Sequence, residues 1–456
     1  MSTTVDSDLD WHGEGVTIAE VLGALNTVRR KFALIDAADD SHPHSRNCVM
    51  TLVAIAADEA EEKRALDAVM DIASHHPSLA IVVRDEPNIS AGKIDATVSA
   101  HPVHGMTDVA MPCELVTLHV HGTAGAHLAA LVDPMLVSGV PTYMWWLGTP
   151  PFHTGELNDA VRISDALVVD SARFARPYHS FLGLSELTQH AHHRLGFSDF
   201  QWARLGPWRE TIAQFFAPDE RRPLLAGISE IGIDYAGVGR GNRIGAALLI
   251  GWLGSALGWK LDRAAAGSGG LVTALFKAEG WRPLQVTFRS VPRTHIPEGA
   301  LSSVRINGGV GGKSYSLAIH RDPQRARPAD PSEFQRLHPT GGEDDAALEI
   351  AQRRAQRHRE VVVQNLEALH HTATGNPPGE SIPPPPRVIV SERRRADTSD
   401  VLLTMIDMGD AQTLRHIQRV PALDESMMLI NVLSTGARDD VYNRSLAAAA
   451  VLMRAL

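Results

Sequence analysis

Cysteine is almost missing from this chain: 456 residues contain two, Cys48 and Cys113. A single pair is too few for the disulfide framework of a secreted protein. Both thiols fall in apolar, strand-like sequence, where cysteine packs as a small hydrophobe. They stand as redox candidates, since two thiols can pair if both are accessible or close together. Long apolar runs are missing as well. None approaches the roughly eighteen residues of a membrane span. The opening MSTTVDSDLDWHGEG lacks the basic start and apolar middle of a secretion signal, so a cytoplasmic location is expected. Positive charge is in short supply too. Lys plus Arg number 43 against 53 Asp plus Glu, a net charge of −10, which argues against nucleic acid as a partner. Two local basic runs, RRAQRHR from Arg353 and ERRRAD from Glu392, read as solvated helix faces or docking sites for an acidic surface.

The signatures of several enzyme classes are also absent. No G-x-S-x-G elbow and no H-E-x-x-H helix occurs. GGVGGKS, from Gly308 to Ser314, ends like a phosphate loop, but Asn307 stands where the first glycine is required, and the following YSLAIHR alternates as a strand. A hairpin turn explains it better. GVGRGN, from Gly237 to Asn242, follows a strand and precedes a helix, the context of an anion-binding turn. Its spacing is not that of a dinucleotide fingerprint, so a plain strand-to-helix turn comes first and a phosphate of some partner or effector second. The close pairs His119/His121, His190/His192/His193 and His42/His44 raise metal binding. His119 and His121 share one strand face, but no wider ligand set accompanies them, and solvent-facing or core-edge histidines are expected. No cofactor is expected.

What the chain does contain is alternation of apolar strands with helices. Hydrophobic residues make up 44 % and charged residues 21 %, ordinary for a globular protein. Thr17 and Glu20 form a capping box for a first helix. CVMTLVAIA, LAIVV, CELVTLHV and DALVVD read as strands, and KIDATVSA as an edge strand. A helix opened by Asp58, Glu59, Glu61 and Glu62 suits the positive end of its dipole. Thr123 can cap a helix whose stripe is Leu128, Leu131, Val132, Met135 and Leu136, interrupted at Pro134. The expected fold is an α/β N-terminal domain with a mainly parallel sheet over residues 17–200, after a disordered tail at 1–16. An α+β domain with antiparallel hairpins and C-terminal helices follows over 201–456. Within it, residues 344–370 read as a charged helix with a Glu349–Arg353 pair, and 372–386 as a Pro-rich loop.

The tryptophans are the remaining signal. Trp145 and Trp146 end a strand and point to opposite faces, so at most one belongs to the core on a given side. With Pro150, Pro151, Phe152, Trp202 and Trp208 they form the candidate partner-binding set, because tryptophan is enriched at interfaces.

VPTYMWWLGTPPF followed by ISDALVVDSARF resembles the central block of the OpcA family, the glucose-6-phosphate dehydrogenase assembly proteins of cyanobacteria and actinobacteria. IASHHPSLAIVV, CELVTLHVHG and the Trp202–Trp208 segment agree in order, so the resemblance covers about residues 17–320. DESMMLINVL and DDVYNRSLAAAAVL are similar to the family's C-terminal end. The resemblance implies a non-catalytic partner that assembles and activates glucose-6-phosphate dehydrogenase in the oxidative pentose phosphate pathway, with no catalytic residues to carry over. The rival reading is a sugar-phosphate- or nucleotide-binding enzyme using the glycine-rich turns at 237–241 and 308–312.

Overall fold

Continuous apolar runs become strands buried on both faces. Every residue of β2 (Met50–Ala56) and of β6 (Thr142–Trp146) is buried, as the middle of a doubly covered parallel sheet requires. The computed structural model describes residues 9–37, 48–73, 75–87, 92–104, 110–191, 195–239, 241–278, 283–293, 296–321, 400–409, 414–420 and 423–456. Residues 1–321 and 401–456 make one compact unit; of the other, 322–400, only Asp400 is described. The expected helix at 344–370, the Pro-rich loop at 372–386 and both basic runs therefore lie outside the described residues.

The first sheet also contains β1 (Asp10–Gly13), β3 (Ser78–Glu86), β4 (Ile94–His104), β5 (Ala110–His121), β7 (Ala166–Val169) and β8 (Gly196–Asp199). Its order is β1-β4-β5-β3-β2-β6-β7-β8. The six strands from β5 to β8 are parallel, and β4 and β1 add antiparallel to one side. Helices α1 (Ile18–Ala37), α2 (Glu59–Ala73), α3 (Leu128–Val132), α4 (Gly155–Arg162) and α5 (Pro177–His190) accompany it. Three expectations need correcting. Residues 10–13 are not a disordered tail but the edge strand β1, which makes β4 an inner strand. Thr123 caps nothing: the segment after β5 is broken into 3₁₀ turns around the five-residue α3, with Pro134 opening the second turn. The capping box at Thr17 and Glu20 forms as expected, with the Thr17 N–H donating to Glu20 Oε2 at 2.8 Å.

Two short helices, α6 (Phe200–Arg204) and α7 (Gly206–Phe216), lead to a second eight-stranded sheet. It consists of β9 (Ile228–Ala236), β10 (Lys260–Ala266), β11 (Val272–Lys277), β12 (Pro283–Val291), β13 (Leu301–Val310), β14 (Lys313–Arg321), β15 (Asp400–Asp407) and β16 (Leu414–Val420). The order is β10-β11-β12-β9-β13-β14-β15-β16. Pairing is antiparallel from β10 to β12 and from β9 through β13 and β14 to β15, whereas β12 runs parallel to β9. Alternation decides the faces: Leu284, Val286 and Phe288 of β12 are buried, while Gln285 between them and Arg289 after them are exposed and Thr287 is half-buried. The nearly all-apolar α8 (Ile244–Leu257) joins the buried side, with α9 (Glu425–Thr435) and α10 (Asp440–Arg454) closing the chain. Gly251 of α8 lies against the Ser445 carbonyl and Ala449 of α10; any side chain there would drive the two helices apart. No described helix is long and apolar enough to cross a membrane.

Candidate functional site: the carboxyl edge of the parallel sheet

The strand order of the six parallel strands reverses between β2 and β6. In open α/β sheets the crevice beyond the strand ends at such a reversal is where ligands bind, with a glycine-rich turn after the first strand and a phosphate on the following helix N-terminus. Here β2 is followed by Ala57 and Asp58, and α2 carries Glu59, Glu61 and Glu62 in its first turn. No glycine stands in that turn. Asp58 Oδ1 accepts from the Glu61 N–H at 2.8 Å, and Glu61 Oε2 accepts from the Ala57 N–H at 2.9 Å. This reciprocal box satisfies donors that a phosphate would otherwise use. Glu61 also reaches across the crevice: a Cβ on Gly148, just past β6, would sit 3.0 Å from Glu61 Oε1.

Charged pairs extend along this edge. Arg64 bonds Glu425 at 3.0 Å and lies 3.8 Å from Glu61. Arg173 lies 3.4 Å from Glu425 and 3.3 Å from Asp170. Arg204 grips the buried Asp170 with two bonds of 2.7 and 2.8 Å, the bidentate geometry that guanidinium favours. On the other side Glu62 accepts from Arg84 at 2.5 Å and pairs with His119 at 2.6 Å, while His121 sits 2.8 Å from Glu86 and 3.0 Å from Asp95. His119 and His121 thus face separate carboxylates, and no group of three or more metal-type ligands exists among the described residues. His42, His44, His192 and His193 lie outside them. A cleft of about 330 Å³ opens beside Arg173 and Arg204, with Gln201, Trp208 and Glu298 on its walls. Ser171 Oγ donates to Asp199 at 2.6 Å, but both residues are buried, so this serine is sealed from any substrate.

The candidate partner set fares differently from expectation. Trp145, Trp146, Trp202 and Trp208 are all buried, and so is Pro150; Pro151 and Phe152 are half-buried. Trp145 packs with Phe200 and Trp146 in the separate cluster on the opposite face. Both can be core because a doubly wound sheet is covered on each face. Trp202 donates through Nε1 to Asp439 at 2.8 Å and carries Arg209 over its ring at 3.5 Å. Phe152 lies edge-on to Phe174 and against Gly183. The turn at 308–312 is the tip of the β13–β14 hairpin, with Gly311 and Gly312 at positive φ, and no helix follows it. The turn at 237–241 does connect β9 to α8.

Cys48 and Cys113 belong to segments that β3 separates, since β2 pairs with β3 and β3 with β5. Two strand spacings are about 9–10 Å, beyond the reach of a disulfide. Burial pushes the Cys113 thiol up to about 11, which leaves it almost wholly protonated and unreactive at neutral pH. Native protein treated with a thiol-labelling reagent should therefore modify Cys48 first, with Cys113 labelled only after denaturant is added, as peptide mass mapping would read.

Two family models match the chain. Residues 195–446 fit the one described as the C-terminal domain of the glucose-6-phosphate dehydrogenase subunit, and residues 69–186 fit its N-terminal counterpart. The chain belongs to the OpcA family. Among its relatives, the OxPP cycle protein OpcA of Synechocystis is 31 % identical over 147 residues, which is 32 % of this chain and 30 % of that one. The OpcA of Synechococcus elongatus is 30 % identical over 203 residues, 44 % of each. The alignments thus span less than half of either OpcA relative. Among solved structures, UDP-N-acetylglucosamine 3-dehydrogenase GnnA from Acidithiobacillus ferrooxidans aligns with 89 % of this chain and 97 % of its own, at 10 % identity and a TM-score of 0.37, a likeness too slight to bear on chemistry.

The edge residues Glu61, Arg64, Asp170, Arg173, Arg204 and Glu425 carry no signal of a shared site in the sequence. The acidic first turn of α2 is legible there as a dipole effect, and VVDS as a strand end. Only the fold brings Glu425 across to Arg64.

Proposed function

We propose that this protein is a non-catalytic assembly factor that binds the glucose-6-phosphate dehydrogenase oligomer in the cytoplasm and favours its active state. The observation that carries this reading is membership of a family whose two domain models, both described by that dehydrogenase, cover strands of both sheets over residues 69–186 and 195–446. The crevice geometry supports it from the other side. At the strand-order reversal the α2 N-terminus is engaged by Asp58 and Glu61, with Glu59 and Glu62 beside them. A pyrophosphate entering there would meet like charge and backbone donors already satisfied. Arg204 and Arg173, which could hold a substrate anion, are committed to Asp170 and Glu425.

Activation without chemistry requires differential binding: the protein stabilises whichever enzyme conformer it contacts more strongly. Purified chain mixed with the dehydrogenase of its own cell should co-elute on size exclusion and lower the apparent KM, or raise the rate, for glucose 6-phosphate. Alone it should turn over no sugar phosphate and bind no nicotinamide dinucleotide. Unchanged elution together with unchanged kinetics would dispose of the proposal.

A further inference from the structure

The cleft of about 330 Å³ at the carboxyl edge plays no part in the assembly reading. Gln201, Arg204, Leu205 and Trp208 line it from the α6–α7 run, at the i, i+3, i+4 and i+7 spacing that puts side chains on one helical side. Ala172 and Arg173, after β7, and Pro297, Ala300 and Leu301, around the start of β13, supply more of the lining. Its volume falls within the range of small-molecule sites. Gln201 and Trp208 are only 5 % and 4 % exposed, yet neither the Gln201 amide nor the Trp208 indole N–H bonds a described residue. Neither group is one of the described polar atoms that are unpaired and sealed from solvent, so both open on the cleft. Leaving such groups unpaired is costly, and a buried tryptophan N–H ordinarily finds an acceptor.

The fold makes room for the unpaired amide rather than closing on it. A Cβ on Gly245, in the first turn of α8, would lie 2.3 Å from Gln201 Nε2, so glycine stands in a helix where alanine would be more favourable. The charges around the cleft are balanced. Asp170 is gripped by Arg204, Glu425 lies 3.4 Å from Arg173, and the exposed Glu298 offsets the half-buried Arg321. A ligand with net charge would upset that balance. What remains on offer is an amide that both donates and accepts, an indole N–H that donates, and apolar wall from Leu205, Leu301 and Pro297. A hydroxyl can answer both sides of the amide, and several hydroxyls on a carbon frame answer the whole lining. We infer that the cleft binds a small uncharged polyhydroxylated ligand, a sugar or polyol, through Gln201 and Trp208. This inference does not require the dehydrogenase reading, because binding is a property of the isolated chain.

The test titrates the full chain with glucose, ribose and myo-inositol, and with glucose 6-phosphate for comparison, read by calorimetry and thermal unfolding. At least one uncharged compound should bind saturably and raise Tm. Gln201→Met keeps the length of the side chain and removes its amide. Its unliganded Tm should therefore equal or exceed the wild-type value, while binding weakens by about tenfold or more. Trp208→Phe, which keeps a ring without the N–H, should weaken binding by about as much, read against its own unliganded Tm. Wild-type protein that binds none of the uncharged compounds would overturn the inference, as would variants that bind as tightly as wild type. A Gln201→Met protein melting several degrees lower without ligand would make the amide structural and overturn it too. Binding of glucose 6-phosphate alone would mark an anion site and overturn the uncharged class. Saturable sugar binding by a chain that leaves the dehydrogenase indifferent would sink the assembly reading alone.

Discussion

Trp145→Ala should destabilise the chain by about 3–5 kcal/mol, the range for truncating a large buried aromatic. The indole is 1 % exposed. Its strand β6 lies between β2 and β7, with Ala54 and Val168 beside Trp145. The ring lies 5.9 Å from that of Phe200 and belongs to the cluster that includes Val69 and Ile72 of α2 and Leu429 of α9. Neighbours drawn from a strand, two long helices and a short one cannot collapse together into the space left behind, so the cavity term adds to the lost transfer energy. Denaturant unfolding should show the midpoint falling with the slope unchanged. If the ring instead served a partner, the midpoint would barely move and only co-elution with the dehydrogenase would suffer. Trp146→Ala should behave alike from the other face of the sheet.

That contrast explains how far the sequence can be read. An apolar run that is buried on both faces announces a central parallel strand, so β2, β3, β5, β6 and β7 are legible, and alternation gives β12 and β14. The capping box at Thr17 and Glu20 also forms as written; the structure adds caps at Asp424 and Asp439, which accept from the Met427 and Tyr442 N–H groups. Local pattern fails where tertiary pairing decides. Asp10–Gly13 has no strand composition, yet it pairs in register with Ala96–Ser99. Gly196–Asp199 is four residues long and reads as a loop until β7 lies beside it. The stripe from Leu128 to Leu136 has helical spacing, but Pro134 and the turn at Gly139 leave room for five helical residues only. The candidate site is less legible than the fold. Its ion pairs join residues up to 361 positions apart, as Arg64 and Glu425 are, and charges at such separation carry no mutual signal along the chain. Tryptophan misleads for a related reason: its enrichment at interfaces and its burial in cores look identical until the second face of the sheet is covered.

The end of β8 sets up the other large effect, a dependence of stability on pH. Asp199 is wholly buried, and that burial pushes its carboxyl up to about 6 against an ordinary 3.8; bonds from Ser171 pull the other way, and neighbouring Asp170 pushes further up. It accepts from Ser171 N–H at 2.9 Å and Gln201 N–H at 2.9 Å, and the Tyr442 hydroxyl of α10 lies 3.3 Å away. Because the folded chain holds this proton more tightly than the unfolded one, the stabilisation is complete below pH 3.8 and is lost as pH rises to about 6. Across that window the loss amounts to about 3 kcal/mol. Asp199→Asn keeps an acceptor for both N–H groups and cannot ionise. The variant should therefore equal or exceed wild type in stability at pH 7 to 8, by up to about 3 kcal/mol, and lose that advantage as the pH falls below about 5. Comparing the two proteins at each pH cancels the opposing contribution of carboxylates held low by partners, such as Asp234 beside Arg289. Denaturant midpoints from pH 4 to 8 would read the difference directly, and parallel profiles would show that Asp199 stays ionised throughout. Trp202 and Tyr442 tie α10 to this corner, so the same titration should loosen the C-terminal helix first, visible as lower amide protection in α10, relative to the intrinsic exchange rate at each pH, above pH 6 than below it in wild type but not in Asp199→Asn.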